Sequence, residues 1–359
     1  MENYNNSKYN NLFLGASQYQ LLNICNLIEM KGIKNNSVIF VVNVFSGADI
    51  IVKRLENEYY NVHFLCEKKS ANKFYKFFSV MKTFLQLKTE IRESVKYIYI
   101  SSQNGFSVLF YYLFGANGKA ELRFFEDGLY TYTNDYGVKQ PFYDYFKRHP
   151  FLFILFKHLR CNYNKVVYLY SPDLAIEKQD AILLKLDYFP YLGNLFLLTN
   201  VNKDLINGQH IFFDSFFVSK TKSYDKNVKC LGILINGIKN IVLKKHPRSD
   251  YGGCIDLVKG KCNVINDDCN LWESVILNWN STNKTLISVL SSATLTPCMI
   301  FNYQYTIVLL YKYVISDNQA LLESYDEFLK RIKAKRNVKI INIDSEAALE
   351  EYVKNYNRT

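Results

Sequence analysis

The pattern that most constrains this chain is a repeating unit. A short apolar run, rich in β-branched and aromatic residues, gives way through a turn to apolar residues at helical spacing. Leu12 to Gly15 (LFLG) reads as a strand, and Ala16-Ser17-Gln18 opens a helix carrying Leu21, Leu22, Ile24, Leu27 and Ile28. Ser37 to Val44 and Tyr60 to Cys66 read as strands about a helix from Gly47 to Glu58. A basic amphipathic helix from Ser70 to Glu93 follows, then strands at Val95 to Ile100 and Leu122 to Phe125 with a short helix from Phe106 between them. Strands separated by helices reach one sheet only through crossovers, so the alternation predicts a parallel sheet covered on both faces.

The unit returns in the second half. A strand at Val166 to Tyr170 closes the first series, and Asp173 to Gly208 has no clear period, which places a domain junction near Gly193. Strands are then expected at Ile211 to Val218, Ile241 to Lys244, Asn263 to Asn266, Thr285 to Leu290, Tyr305 to Leu310 and Val338 to Ile343. Helices fit Leu271 to Trp279, Ala293 to Phe301, Asp326 to Arg336 and Ser345 to Tyr356, and Lys226 to Asn240 is left without a type. With 359 residues, 49% of them apolar, the chain supplies two cores; the expected domains are 1–190 and 191–359.

Composition narrows the function classes. The formal net charge of +11 suits an anionic partner: nucleic acid, a membrane face or a nucleotide sugar. Helix-turn-helix, zinc-finger and RNA-binding signatures are missing, so nucleic acid is not expected. The turn after LFLG has one glycine, which leaves out the dinucleotide fingerprint and a nicotinamide cofactor. Met1 to Asn11 is polar and Asn-rich, unlike a signal peptide, and no apolar run approaches the roughly 20 residues that span a bilayer. The expected location is the cytoplasm. Eight cysteines without a C-x-x-C pair read as free thiols in a reducing compartment.

Three strand ends carry chemistry. FFEDG (Phe124 to Gly128) halts a strand on Glu126 and Asp127, with a glycine that permits a tight turn. IVLKKHPRSDY (Ile241 to Tyr251) delivers Lys244, Lys245, His246, Pro247 and Arg248 to a strand's carboxyl end, a place to hold a phosphate. LISVLSSAT (Leu286 to Thr294) ends in Ser291, Ser292 and Thr294. In open α/β sheets, ligands bind at such carboxyl ends.

In this order the three blocks resemble bacterial sialyltransferases. HPRSDYG, the Phe-acid-Asp-Gly block and the Ser-x-Ala-x-Leu-Thr block are most similar to the lipooligosaccharide-type enzymes of glycosyltransferase family 52, over about Leu12 to Lys312. The resemblance implies a GT-B arrangement, two Rossmann-like domains with parallel sheets facing across a cleft. It also implies an inverting, metal-independent transfer of sialic acid from CMP-Neu5Ac to a galactose-type hydroxyl, usually in α2,3 linkage, in lipopolysaccharide or capsule synthesis. The N-terminal domain would then take the acceptor and the C-terminal domain the CMP-sugar.

By that resemblance Asp127 is the general base with Glu126 as its understudy, and His246 protonates the leaving CMP phosphate or stabilises its charge. Pro247, Arg248, Ser291, Ser292 and Thr294 would line the donor phosphate, the serines at a helix start, and Ser17 and Gln18 lie on the acceptor side. The family's further aspartate in a glycine-rich loop has no clear counterpart, because HIFFDSFFVSK offers Asp214 alone. No metal or cofactor is expected. Asn266-Asp267-Asp268 reads as a solvated turn, and His63, His149, His158 and His210 have no ligand spacing.

The partners implied are CMP-Neu5Ac, a galactose-terminated or lipid-linked acceptor and a second copy of the chain, since some family members are homodimers. The apolar run Phe151 to Phe156, flanked by Lys147, Arg148, Lys157, His158 and Arg160, fits either a helix on the cytoplasmic face of the inner membrane or one buried between domains. Two alternatives stand beside this reading: a GT-B transferase using another nucleotide sugar, and a basic membrane-surface scaffold.

Overall fold

The computed structural model describes residues 9–42, 45–65, 81–82, 85, 95–115, 119–133, 142, 161–176, 180–215, 221–246, 260–265, 270–279, 283–289 and 291–356, and the structural statements below concern these. The helix expected over 70–93 and the segment 142–160 lie largely outside them, as do Pro247, Arg248 and the 266–268 loop. The chain divides into two compact units, Met1–Leu198 and Thr199–Thr359.

In the first unit seven strands form one sheet: β1 (Asn11–Gly15), β2 (Ser37–Val41), β3 (Val62–Phe64), β4 (Tyr97–Ile100), β5 (Glu121–Phe125), β6 (Asn162–Leu169) and β7 (Asp180–Leu183). Their order is β3-β2-β1-β4-β5-β6-β7, every pairing parallel. All five residues of β1 and of β2 are buried, which is why both strands read as unbroken apolar runs without alternation. Phe13 of β1 stacks on Tyr99 of β4 with ring centroids 4.4 Å apart. The chain builds outward from β1 to β3 and then restarts at β4, so the winding reverses between β1 and β4.

Helix α1 (Gln18–Lys31) follows β1. Ser17 Oγ accepts from the amide of Gln20 as its N-cap, and Gly32 at φ 61° ends it, its N–H donating to the Glu29 carbonyl. A Cβ on Gly15 would stand 2.8 Å from Leu21 Cδ2, so glycine lets α1 lie close against its own strand. Residues 20–28 of α1 are all buried, Gln20, Asn23 and Asn26 among them. Gln20 and Asn23 reach the end of β5, and Asn26 Nδ2 donates to the Lys185 carbonyl at 2.8 Å and the Tyr170 hydroxyl at 3.3 Å. Helix α2 (Ala48–Asn57) sends Arg54 Nη1 to the carbonyls of Leu195 and Leu197, both at 2.9 Å, satisfying the carboxyl end of the helix Phe189–Leu195.

The second unit has six parallel strands: β8 (His210–Phe213), β9 (Ile241–Lys244), β10 (Asn263–Ile265), β11 (Thr285–Ser288), β12 (Thr306–Leu309) and β13 (Lys339–Asn342). Their order is β10-β9-β8-β11-β12-β13, the doubly wound Rossmann order with its reversal between β8 and β11. The stretch left without a type is the helix Lys222–Gly237, whose N-cap Thr221 accepts from the amide of Tyr224. At the amino-terminal ends of the central strands β8 and β11, Lys284, 2% exposed, donates Nζ to the carbonyls of Ile206 (2.6 Å) and Gly208 (2.7 Å).

The structure adds what the sequence left unread between Asp173 and Gly208: strand β7 and the helices Phe189–Leu195 and Lys203–Asn207. Strand β7 is an edge strand with exposed side chains, so it lacks the burial pattern that marks its neighbours. Cys25, Cys161, Cys230, Cys262 and Cys298 are free thiols. Among the described residues no helix is long and apolar enough to cross a membrane.

Candidate active site

The acid pair sits where β5 ends. The amide of Glu126 still donates to the Tyr168 carbonyl of β6 at 3.0 Å, so the sheet ladder runs one residue past the strand and fixes this backbone. Glu126 is 1% exposed. Its Oε1 accepts from the Tyr19 hydroxyl at 2.5 Å, and its Oε2 from the Tyr132 hydroxyl at 2.5 Å and the Tyr170 amide at 2.9 Å. Its carbonyl accepts from Asn23 Nδ2 at 3.0 Å. Burial pushes the Glu126 carboxyl up to about 7, while the two tyrosine hydroxyls and the Tyr170 amide oppose the rise. With both oxygens engaged inside the protein, Glu126 is placed to hold the site together; the sequence had it as a second candidate base.

Asp127 is less deeply buried than Glu126. Its amide donates to Thr131 Oγ1 at 2.8 Å, and Gly128 follows at φ 63°, the left-handed conformation that the EDG pattern anticipated. Its Oδ1 accepts from Gln20 Nε2 at 2.8 Å; Oδ2 has no hydrogen-bond partner among the described residues. Burial raises the carboxyl above the usual carboxylate range, and the Gln20 hydrogen bond partly offsets this. A half-buried carboxylate with one oxygen held and one open, and with raised basicity, can take a proton. Ser17 and Gln18 lie just before Gln20 in the chain: Ser17 caps α1, and Gln18 Nε2 donates to the Ser46 carbonyl at 2.7 Å.

The second unit gathers polar groups at the carboxyl ends of three adjacent strands, β9, β8 and β11. His246, half-buried, lies two residues past β9, and its amide approaches Asp214 Oδ2 at 3.4 Å. Asp214 is 3% exposed at the end of β8 and also takes Asn227 Nδ2 on its other oxygen at 3.4 Å. Sequence reasoning noted Asp214 only as a lone acid. Its pairing with the His246 backbone follows from β8 lying beside β9, a neighbour relation that spacing alone does not reveal.

Past β11, Ser291 to Thr294 form a single 3-10 turn, and the helix begins only at Thr296. The serines therefore open a tight turn in place of the expected helix start. Ser291 Oγ accepts from the Ala293 amide at 3.3 Å, and Ser292 is exposed. Thr294 is 0% exposed; its hydroxyl donates to the Ser291 carbonyl at 2.7 Å and lies 3.2 Å from Ser288 Oγ. Thr294 shapes the loop from within and has no hydroxyl to offer a ligand. Trp272 Nε1 donates to the Ala293 carbonyl at 2.9 Å and anchors the same turn.

Among the described residues no three His, Cys, Asp or Glu side chains gather as a metal site would require. His63 stacks against Phe40, and His210 is buried edge-on to Tyr356.

No family model matches the chain, and no curated protein matches its sequence. Solved structures match its fold over nearly its whole length. A UDP-N-acetylglucosamine 2-epimerase, described as putative, from Listeria monocytogenes aligns with 98% of this chain and 88% of its own, at TM-score 0.56 and 10% identity. MnaA of S. aureus, solved with UDP, aligns over 97% of both chains at TM-score 0.52 and 12% identity. Os79 of O. sativa, also in complex with UDP, covers 96% of this chain and all 100% of its own at TM-score 0.51 and 9% identity. The fold is thus of the GT-B type, two parallel-sheet α/β domains.

Proposed function

We propose that this chain is a glycosyltransferase that moves a sugar from a nucleotide donor to a hydroxyl, and that its donor is CMP-sialic acid. The observation that carries the proposal is the open Oδ2 of Asp127 at the carboxyl end of β5, in a setting that raises its basicity. In this reading Asp127 takes the proton of a galactose-type hydroxyl. The freed oxygen bonds to the anomeric carbon of the sialic acid from the face opposite the phosphate. The bond from that carbon to the phosphate oxygen breaks, and its electron pair leaves on CMP, so the configuration inverts. On the second unit His246 and the exposed Ser292 meet the phosphate as charge grows on it. In this reading Asp127 accepts the proton and His246 and the Ser292 hydroxyl meet the leaving phosphate, with no metal or cofactor taking part.

The choice of CMP-sialic acid is supported by the order of the EDG, HPR and SSAT blocks and their resemblance to family 52. A UDP-sugar donor is the second reading, favoured by the UDP bound in MnaA and Os79. The acceptor side, the α2,3 linkage, a homodimer and peripheral contact with the inner membrane belong to the same proposal.

The test is release of CMP from CMP-Neu5Ac with galactose-terminated acceptors, run beside a panel of UDP-sugars. Asp127→Asn is expected to lower kcat about 100-fold or more, the range of a lost general base, while CMP affinity measured calorimetrically stays within about twofold. His246→Ala is expected to weaken CMP binding as well as turnover. Turnover with a UDP-sugar alone selects the second reading, and full activity in Asp127→Asn removes Asp127 from the mechanism. If the protein binds anionic vesicles, has no transferase activity, and neither substitution changes that binding, it is the basic membrane-surface scaffold.

A further inference from the structure

The first two turns of α1 grip the acid pair side chain by side chain. Tyr19 holds the Glu126 carboxylate, Gln20 holds Asp127, and Asn23 holds the Glu126 carbonyl. Gln20 is 7% exposed and has both ends of its amide in use: Oε1 accepts from the Ala16 amide at 2.7 Å, and Nε2 donates to Asp127 Oδ1 at 2.8 Å. A backbone N–H can bond only to the oxygen of a side-chain amide, so Ala16 settles which way the group points. Its NH2 is thereby aimed at Asp127. The backbone that carries Asp127 is fixed as well, because its own amide donates to Thr131 Oγ1.

We infer that Gln20 is a positioning residue for the proposed base: it takes one oxygen of Asp127 out of play and presents the other, Oδ2, to the acceptor hydroxyl. The inference rests on Asp127 being the base, but the grip itself can be measured without any substrate. Other titratable groups near the carboxylate are Glu126 on its own strand end, Tyr19 on α1, and Tyr132 on the helix Leu129–Thr133. Tyr170 contributes its backbone amide to Glu126, and no Lys or Arg pairs with either carboxylate among the described residues. Among the described residues Gln20 is therefore the one side chain that favours ionised Asp127 by a direct hydrogen bond.

Two substitutions isolate the effect. Gln20→Glu keeps the size and can still accept from Ala16, but it sets a second carboxylate against Asp127 Oδ1. Gln20→Met keeps the length and removes both hydrogen bonds. The readout is the carbon-13 titration of the Asp127 carboxyl in selectively labelled protein, the resonance assigned by its loss in Asp127→Asn. In both variants the midpoint should move up, further for Glu than for Met. The acid limb of kcat/KM for CMP-Neu5Ac should move the same way, and kcat should fall about 10-fold or more, as loss of a hydrogen bond to a charged group implies. Donor KM should stay within about twofold, which separates positioning from donor binding.

An unmoved Asp127 midpoint in folded Gln20→Glu and Gln20→Met overturns the inference whatever the activities. So does unchanged kcat in both variants when Asp127→Asn is inactive. A shifted midpoint in a protein that turns over no nucleotide sugar leaves the Gln20 grip standing and counts against the transferase reading.

Discussion

Replacing Glu126 with Gln should change how stability depends on pH, and the structure gives the sign and the size. In the folded protein the carboxyl is pushed from 4.5 up to about 7 by burial, whereas in the unfolded chain it titrates near 4.5. Below 4.5 the group is protonated in both states, and above about 7 it is ionised in both. Between these limits the folded state binds the extra proton, so stability falls as pH rises. At about 1.4 kcal/mol per unit, the span from 4.5 to about 7 amounts to roughly 3 kcal/mol.

Glutamine removes this dependence while fitting the same contacts. Its carbonyl can replace Oε2 and accept from Tyr132 and the Tyr170 amide, and its NH2 can replace Oε1 if the Tyr19 hydroxyl turns to accept. Near pH 4.5 the variant should match the parent to within about 1 kcal/mol; above pH 7 its stability relative to the parent should be about 3 kcal/mol higher. A chain of two units need not unfold in one step. The assay is therefore a urea series at several pH values, read by hydrogen exchange of peptides covering α1 and β5. A parent-to-variant difference that stays flat with pH, or that favours the variant more as pH falls, would refute the reasoning.

Two further outcomes test the frame around the sites. Gly128→Ala should destabilise the first unit by about 1–2 kcal/mol because alanine resists the left-handed conformation, and Gly128→Asn should recover much of that loss; equal effects of the two would show that φ at 128 is not the cause. Lys284→Met should cost about 2 kcal/mol or more, since the carbonyls of Ile206 and Gly208 lose a buried donor. Burial lowers the Lys284 ammonium to about 8 from 10.5, so the unfolded chain binds the extra proton between those values and stability rises with pH there. The methionine variant should lack that rise in denaturation midpoints, and an identical rise would exclude Lys284 as its source.

Much of this protein was legible in its sequence, for local reasons. Buried parallel strands must be apolar on both faces, so LFLG, SVIFV and IVLK announce themselves, and the glycine of EDG marks a turn because few other residues accept its φ. These signals alone place Asp127 and His246 at strand ends. Strand β7 escaped because an edge strand need not be apolar, and the helix Lys222–Gly237 escaped because its first half, KSYDKNVK, is mostly polar, so that its buried apolar residues Cys230, Leu231, Leu234 and Ile235 span only two turns.

What only the tertiary structure decided is how neighbouring acids differ. Glu126 and Asp127 are adjacent and chemically alike, yet alternation along the strand end sends one inward to Tyr19 and Tyr132 and leaves the other with an open oxygen. Gln20, over a hundred residues upstream, and Asp214, past a different strand from His246, acquire their roles because parallel order sets β1 near β5 and β8 beside β9. A sequence specifies which residues can stand at the end of a strand. Which strand ends become neighbours, and so which side chain restrains which, is fixed only when the sheet closes its order.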